Sequence, residues 1–94
     1  MKAIVFTSKY CPYCRHFENV VKRLEKEVGI EFEIVDVDEN WELAEKFEVM
    51  ILPTLVLTDN GETVGGFMGF ADFETALSTI KEQISALPEP YNKN

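Results

Sequence analysis

Two cysteines, Cys11 and Cys14, stand with two residues between them in the segment "TSKYCPYCRHF" (7–17), and the chain has no others. A pair with this spacing suits either metal binding or redox chemistry. A protein zinc site needs two more ligands, and the one histidine, His16, is interpreted as a surface group. A purely structural disulfide is also disfavoured, because so short a loop constrains little of the unfolded chain. The pair therefore favours thiol–disulfide exchange.

The residues around the pair predict a strand followed by a helix. The run "KAIVFT" (2–7) is short, apolar and rich in β-formers, which is typical of a buried strand. Pro12 suits the first turn of a helix, where its missing N–H costs nothing, and Gly29 suits the C-terminal cap. Between them, apolar side chains recur at helical spacing: Phe17, Val20, Val21, Leu24 and Val28.

This placement predicts two thiols of unequal reactivity. Unpaired N–H groups and the helix dipole stabilise an anion at a helix N-terminus, so a cysteine there ionises more readily than a free one. Cys11 is expected at that position, with Arg15 adding positive charge beside its thiolate. Cys14, one turn further in, is expected to be covered and to keep a higher pKa. In an exchange reaction Cys11 would attack and Cys14 would resolve the mixed disulfide.

Two residues inside the pair support the same chemistry. Pro12 is expected to stiffen the turn and to hold the two sulfurs close together. Tyr13 is expected to provide an aromatic wall beside the site. Both are therefore candidate site residues, along with the cysteines.

Beyond this helix, the sequence predicts a second strand and a short second helix. The segment "IEFEIVDVD" (30–38) alternates and is rich in β-branched residues. Asn40 can cap the helix, whose predicted apolar face is Trp41, Ala44 and Phe47. Trp41 is interpreted as a packed aromatic and not as a ligand. Because a helix links the first two strands, they are predicted to be parallel with a right-handed crossover.

The second half of the chain predicts a hairpin and a last helix. Pro53 precedes a third strand at 54–58, "DNG" (59–61) signals a tight turn, and the returning strand covers 62–67. Asp72 can cap a helix with one apolar face: Phe73, Leu77, Ile80, Ile84 and Leu87. The predicted order is β-α-β-α-β-β-α, within one domain covering 1–87. Residues 88–94 are expected to form a disordered tail.

Charge and composition narrow the class of protein. The formal net charge of −8 argues against nucleic acid as a partner. The charge is uneven, since residues 1–30 carry six basic and three acidic side chains and the rest carries three basic and fourteen acidic ones. No apolar run approaches the roughly 18 residues of a membrane span. A cytoplasmic protein is expected, and a monomer is the default.

Several segments resemble the thioredoxin superfamily over residues 2–86. The resemblance rests on Cys11-Pro12-Tyr13-Cys14, on Pro53 about forty residues later, and on the hairpin and last helix. It implies an α/β thioredoxin fold, with a four-stranded mixed sheet flanked by three helices. It also implies that Pro53 is cis and faces the cysteines, and that the backbone of Leu52 pairs with an extended substrate.

Within the superfamily the sequence is mixed. "CPYC" (11–14) is the dithiol glutaredoxin motif, and "NGETVGG" (60–66) resembles the glutaredoxin Gly-Gly segment. "ILPTLVL" (51–57) and "FMGFADFETAL" (67–77) instead resemble thioredoxin, although Val5 stands where thioredoxins carry a buried acid. The substrate contacts that the resemblance implies are Lys9, Leu52, Thr54, Gly65, Gly66, Gly69 and Phe70.

The resemblance implies an enzyme that reduces protein disulfides through Cys11 and Cys14 with no bound cofactor. The expected electron donor is a thioredoxin-reductase-type flavoprotein, and the expected substrates are disulfide-containing proteins, with ribonucleotide reductase as a candidate. Glutathione is the alternative reductant. Ser8 stands where glutathione-binding glutaredoxins carry a basic residue, and Asp72 is the first acid after Gly-Gly. A dimer that bridges an iron–sulfur cluster through Cys11 is a further alternative.

Overall fold

The computed structural model describes residues 1–88, and they form four strands and three helices in the predicted order. The elements are β1 (Lys2–Thr7), α1 (Pro12–Val28), β2 (Glu31–Asp36), α2 (Trp41–Lys46), β3 (Thr54–Asp59), β4 (Glu62–Met68) and α3 (Phe73–Ala86). The predicted tail at 88–94 lies outside the described residues apart from Pro88.

The strands form one mixed sheet in the order β2-β1-β3-β4. β1 is parallel to β2 and antiparallel to β3, and β4 is antiparallel to β3. The predicted thioredoxin fold is confirmed. In the register of β1 and β3, Phe6 lies opposite Thr54. The loop that follows β1 therefore meets the segment that precedes β3, which is where Cys11 and Pro53 stand in the sequence.

Helices cover the two faces of the sheet and bury separate cores. One core contains ten buried residues, which are Ala3, Val5, Phe17, Val21, Leu24, Phe32, Leu55, Leu57, Ala76 and Ile80. The other lies beneath α2 and contains Ile4, Phe6, Val35, Ala44 and Val56. Burying a large apolar side chain contributes about 1.5–3 kcal/mol, so the first core fixes how α1 lies on the sheet and the second fixes α2.

The second strand ends two residues earlier than the sequence predicted. The carboxylate of Asp36 accepts the N–H of Asp38 at 2.8 Å, and its carbonyl accepts the N–H groups of Glu39 and Asn40 at 3.1 and 3.0 Å. These bonds close a turn directly after the strand. β2 therefore stops at Asp36, and the acids that follow belong to the loop before α2.

The predicted packing of Trp41 is wrong. Its side chain is 61% exposed, whereas Leu43, Ala44 and Phe47 pack on the core beneath α2. At 3.6 residues per turn these three share one face of the helix, and Trp41 falls well outside it. The ring of Phe47 lies 5.9 Å from that of Phe6, so the aromatic anchor of α2 is at its C-terminal end.

A glutamine side chain covers the free edge of the sheet. β4 is an edge strand, and Gly66 in it donates its N–H to Gln83 Oε1 at 2.7 Å. Gln83 Nε2 donates in turn to the Gly66 carbonyl at 2.8 Å. Gly66 has φ 133°, and a Cβ there would come within 2.2 Å of the Leu55 carbonyl oxygen. A residue on α3 thus satisfies backbone groups that an edge strand otherwise leaves open.

Gln83→Ala is expected to lower the free energy of unfolding by about 1–3 kcal/mol, because a partly buried N–H and C=O both lose their partner. Urea denaturation followed by circular dichroism measures the change. Glu82→Ala, at the neighbouring exposed position of α3, is the matched control and should be close to the parent protein. Equal stability of the two variants would contradict this role for Gln83.

Candidate active site

The two cysteines lie where β1, α1 and the start of β3 converge. The peptide bond between Leu52 and Pro53 is cis, as the resemblance implied. The thiol of Cys11 points at the Leu52 carbonyl oxygen, with the sulfur 4.0 Å away. The reactive loop and the proline segment, 41 positions apart along the chain, thus form one surface.

Cys11 is the N-cap of α1. Its sulfur accepts the N–H of Cys14 at 3.3 Å, and Pro12 occupies the first turn. Its own N–H donates to the carbonyl of Ser8 at 3.1 Å, which closes the turn before the helix. No acid lies in the first turn of α1. An N–H donor and the positive end of the helix dipole therefore favour negative charge on the Cys11 sulfur.

Cys14 lies one turn further in and is fully buried. Burial raises the pKa of its thiol to about 12, and hydrogen bonding to Cys11 adds to the rise. Hydrogen bonding to the Ser8 backbone opposes it. Both cysteines are free thiols. Cys14 is thus covered and has a raised pKa, as predicted.

No metal-ligand cluster is found near the thiols or elsewhere in residues 1–88. Over this range no three His, Cys, Asp or Glu side chains are grouped to hold a metal ion. His16 is exposed, in agreement with its interpretation as a surface group.

Exposed apolar side chains lie next to the segments that carry the cysteines and Pro53. Tyr13 and Phe70 are 64% and 45% exposed, and their rings lie 6.1 Å apart. Gly69 donates its N–H to the Pro53 carbonyl at 2.7 Å, which holds the segment before α3 against the proline loop. Ile51 is also exposed. We call Tyr13, Ile51 and Phe70 the apolar rim, since exposed apolar surface of this kind marks interaction sites.

Basic side chains flank Cys11 in the sequence and share one cleft. Lys9, Arg15 and His16, together with Tyr10 and Pro12, line an open cleft of about 430 Å³. Every ionisable side chain of this lining apart from the tyrosine is basic, in a chain of net charge −8. We call these residues the cationic cleft. Arg15, predicted to stabilise the thiolate, lies on its wall at the start of α1.

Three of the predicted substrate contacts, Thr54, Gly65 and Gly66, lie within or beside strands of the sheet. Thr54 is 5% exposed, and its hydroxyl donates to the Ile51 carbonyl at 2.5 Å, so its side chain supports the proline loop from within. Gly65 and Gly66 lie inside β4, opposite Leu57 and Val56. The Gly66 backbone is already bonded to Gln83. The predicted substrate contact at Gly66 is therefore corrected for its N–H and carbonyl, which are bonded within the protein, and the contact at Gly65 stays a prediction.

The sequence analysis missed one contact beside the thiols. The hydroxyl of Ser8 donates to Asp38 Oδ2 at 2.7 Å and accepts the N–H of Tyr10 at 3.2 Å. In the sequence, Ser8 stands where glutathione-binding glutaredoxins carry a basic residue, and Asp38 falls at the end of a predicted strand. The two are 30 positions apart, and no local pattern predicts that they form a hydrogen bond.

Known proteins share this arrangement of elements. The thioredoxin family model matches residues 2–82. Thioredoxin from Bacillus subtilis is 35% identical over 81 residues, covering 84% of this chain and 78% of that protein. Thioredoxin from Methanocaldococcus jannaschii is 30% identical over 86 residues, covering 89% of this chain and 96% of that protein.

Solved structures agree with these sequence relatives. A thioredoxin mutant from Halobacterium salinarum has a TM-score of 0.81 at 31% identity, covering 93% of this chain and 77% of that one. Fasciola hepatica thioredoxin has a TM-score of 0.77 at 35% identity, covering 87% of this chain and 79% of that one. The chain therefore belongs to the thioredoxin family, whose members are protein disulfide oxidoreductases.

Proposed function

We propose that this protein reduces protein disulfides through a dithiol–disulfide cycle of Cys11 and Cys14, with electrons from a thioredoxin-reductase-type flavoprotein. One observation carries the proposal. The sulfur of Cys11 caps α1 at the surface and lies against the Leu52 carbonyl, while the thiol of Cys14 is buried one turn beneath it.

The first step joins Cys11 to the substrate. The Cys11 thiolate attacks one sulfur of the substrate disulfide, the substrate S–S bond breaks, and the departing thiolate takes a proton. The bond formed is a mixed disulfide between Cys11 and the substrate. The N–H of Cys14 and the N-terminus of α1 favour the thiolate before the attack.

The second step releases the substrate. Cys14 loses its proton and attacks the Cys11 sulfur, the mixed disulfide breaks, and the second substrate thiolate leaves and is protonated. A Cys11–Cys14 disulfide forms, so two electrons have passed from the protein to the substrate. The reductase then returns two electrons and restores the dithiol.

Burial of Cys14 gives these two steps their order. Its pKa is raised to about 12, so Cys14 remains protonated while Cys11 attacks. Two of the causes are the hydrogen bond and the charge of Cys11, and both change once Cys11 is part of a mixed disulfide. Losing these two contributions lowers the pKa of Cys14, while burial, the largest cause, continues to raise it. The resolving thiol is thus easier to ionise once the substrate is attached.

The surface around Cys11 supports a protein substrate. The apolar rim offers exposed side chains, and the Leu52 carbonyl lies beside the sulfur where an extended segment can hydrogen-bond to it. Lys9 and Gly69 complete the proposed contact surface on either side. Disulfide-containing proteins are the proposed substrates, with ribonucleotide reductase as a candidate.

Two features make glutathione the less favoured donor. A small anionic ligand needs fixed polar contacts, because unpaired groups at its site cost binding energy. Gly66 is already bonded to Gln83, and Ser8 stands in place of a basic residue and is bonded to Asp38. The cationic cleft is the feature that favours glutathione. A flavoprotein reductase can instead recognise the apolar rim.

A reducing compartment suits this chemistry, and we propose the cytoplasm. Both cysteines belong to the redox pair, and cytosolic proteins keep such thiols reduced. None of the helices formed by residues 1–88 has the length and apolar character to cross a membrane.

Cys11→Ser is expected to reduce the rate of insulin-disulfide reduction to the uncatalysed rate, because it removes the attacking sulfur. Cys14→Ser should instead accumulate a mixed disulfide, visible by mass spectrometry as substrate covalently attached to Cys11. The Glu82→Ala variant, at an exposed position of α3, keeps both thiols and serves as the control. Full activity of Cys11→Ser would contradict the assignment of the nucleophile.

Iodoacetamide is expected to modify one thiol per native molecule, and peptide mapping should place it on Cys11. Cys14 should stay unmodified up to about pH 9, since burial blocks access and its pKa of about 12 keeps it protonated there. In denaturant both thiols should react. Equal labelling of Cys14 in the native protein near neutral pH would show that it is not the covered partner.

Two coupled NADPH assays test the electron donor. Turnover is expected with thioredoxin reductase, and little with glutathione plus glutathione reductase. Phe70→Ala should raise the KM for the reductase several-fold because it removes part of the apolar rim, whereas Trp41→Ala, an exposed aromatic on α2, should not. Turnover only in the glutathione system would contradict the proposed donor.

A further inference from the structure

The loop at residues 8–11, which precedes α1, is fastened by one side chain. Ser8 is 8% exposed, and its hydroxyl makes two hydrogen bonds at once. It accepts the N–H of Tyr10 at 3.2 Å, inside the loop, and donates to Asp38 Oδ2 at 2.7 Å, outside it. The hydroxyl therefore ties the shape of the loop to a separate part of the chain.

The backbone of Ser8 is linked to both cysteines. Its carbonyl accepts the N–H of Cys11 at 3.1 Å. Cys11 in turn accepts the N–H of Cys14, at its carbonyl (3.1 Å) and at its sulfur (3.3 Å). Ser8 is therefore linked directly to Cys11 and, through Cys11, to Cys14.

Asp38 is a fixed anchor although it lies at the surface. Its N–H donates to the carboxylate of Asp36 at 2.8 Å, and the N–H of the preceding residue, Val37, donates to the Thr7 carbonyl at 2.9 Å. The loop that carries Asp38 is thereby bonded to the ends of β1 and β2. Through Asp38, Ser8 is therefore fixed to the sheet.

We propose that Ser8 and Asp38 are a positioning pair that sets the rate at which Cys14 attacks the mixed disulfide on Cys11. This inference rests on the proposed function, in which Cys14 is the resolving thiol. The attack requires the two sulfurs to be held in line, and small displacements of reacting atoms slow such steps strongly. Ser8 is bonded to Cys11, which is bonded to Cys14, and Ser8 is itself fixed through Asp38.

The side chain of Ser8 is expected to matter less for the first step. The bonds that prepare Cys11 are the Cys11 N–H to the Ser8 carbonyl and the Cys14 N–H to the Cys11 sulfur. Neither uses the serine hydroxyl, so an alanine at position 8 retains both. The resolving step is different, because a buried thiol must ionise and move onto its neighbour within a loop that has lost its anchor.

A two-phase reaction separates the steps. The disulfide reagent DTNB releases one thionitrobenzoate when Cys11 attacks it and a second when Cys14 attacks the resulting mixed disulfide. Only the first phase depends on the DTNB concentration. In stopped-flow absorbance, Ser8→Ala should slow the second phase by about three- to tenfold, the range expected for a lost hydrogen bond, and leave the first phase unchanged.

Conservative variants distinguish positioning from charge and from general stability. Ser8→Thr keeps the hydroxyl and Asp38→Asn keeps an oxygen acceptor, so both should restore the second phase to near the parent rate. Asp38→Ala should be slowed like Ser8→Ala, and the double variant should be no slower than either. Glu39→Ala, which removes a neighbouring exposed acid, is the matched control and should be normal.

The outcomes separate the two proposals. A parent protein that releases only one thionitrobenzoate would contradict the role of Cys14 and so the proposed function. Two normal phases in both Ser8→Ala and Asp38→Ala would contradict the positioning pair alone. A lower melting temperature in these variants with an unchanged second phase would also contradict it, because the contact would then support only the fold.

Discussion

The hydrogen bond from the Cys14 N–H to the Cys11 sulfur is the contact on which the site depends, because it makes the proposed nucleophile the N-cap of a helix. A helix N-terminus leaves N–H groups without backbone partners, and an anion placed there gains both a donor and the dipole. The orientation of α1 is set by its buried stripe, since Phe17 and Leu24 are fully buried against the sheet. Core packing therefore sets the orientation of the N-terminus of α1, and the N-terminus favours negative charge on the Cys11 sulfur.

The same stripe produces the inequality between the thiols. Cys14 stands three residues before Phe17, on the face of α1 that the core covers, so its sulfur is buried by the packing that fixes the helix. Burial disfavours the charged form and raises the pKa of that thiol. One helical turn thus separates a sulfur at the helix N-cap from one that is held as a buried, neutral thiol. The proposed order of the two exchange steps follows from this difference.

Local patterns predicted most of the fold, and long-range contacts account for what they missed. Asn40 and Asp72 were read correctly as helix caps, since a cap depends on the residues next to it. Which face of a six-residue helix is buried depends on the sheet beneath it, so the sequence pattern predicts the burial of Trp41 wrongly. The Ser8–Asp38 and Gly66–Gln83 bonds join distant positions through single side chains, and composition or periodicity carries no record of such pairs.

The distribution of charge adds a constraint on recognition. The chain as a whole is strongly acidic, yet the cationic cleft is formed by residues that flank Cys11 in the sequence. At physiological ionic strength the field of surface charges decays over about 8 Å, so the overall charge acts mainly on approach and the cleft acts at contact. An acidic partner is therefore repelled by most of the surface but attracted beside Cys11. A partner that pairs an apolar segment for the rim with an acid beside its disulfide fits both features, and a uniformly acidic partner does not.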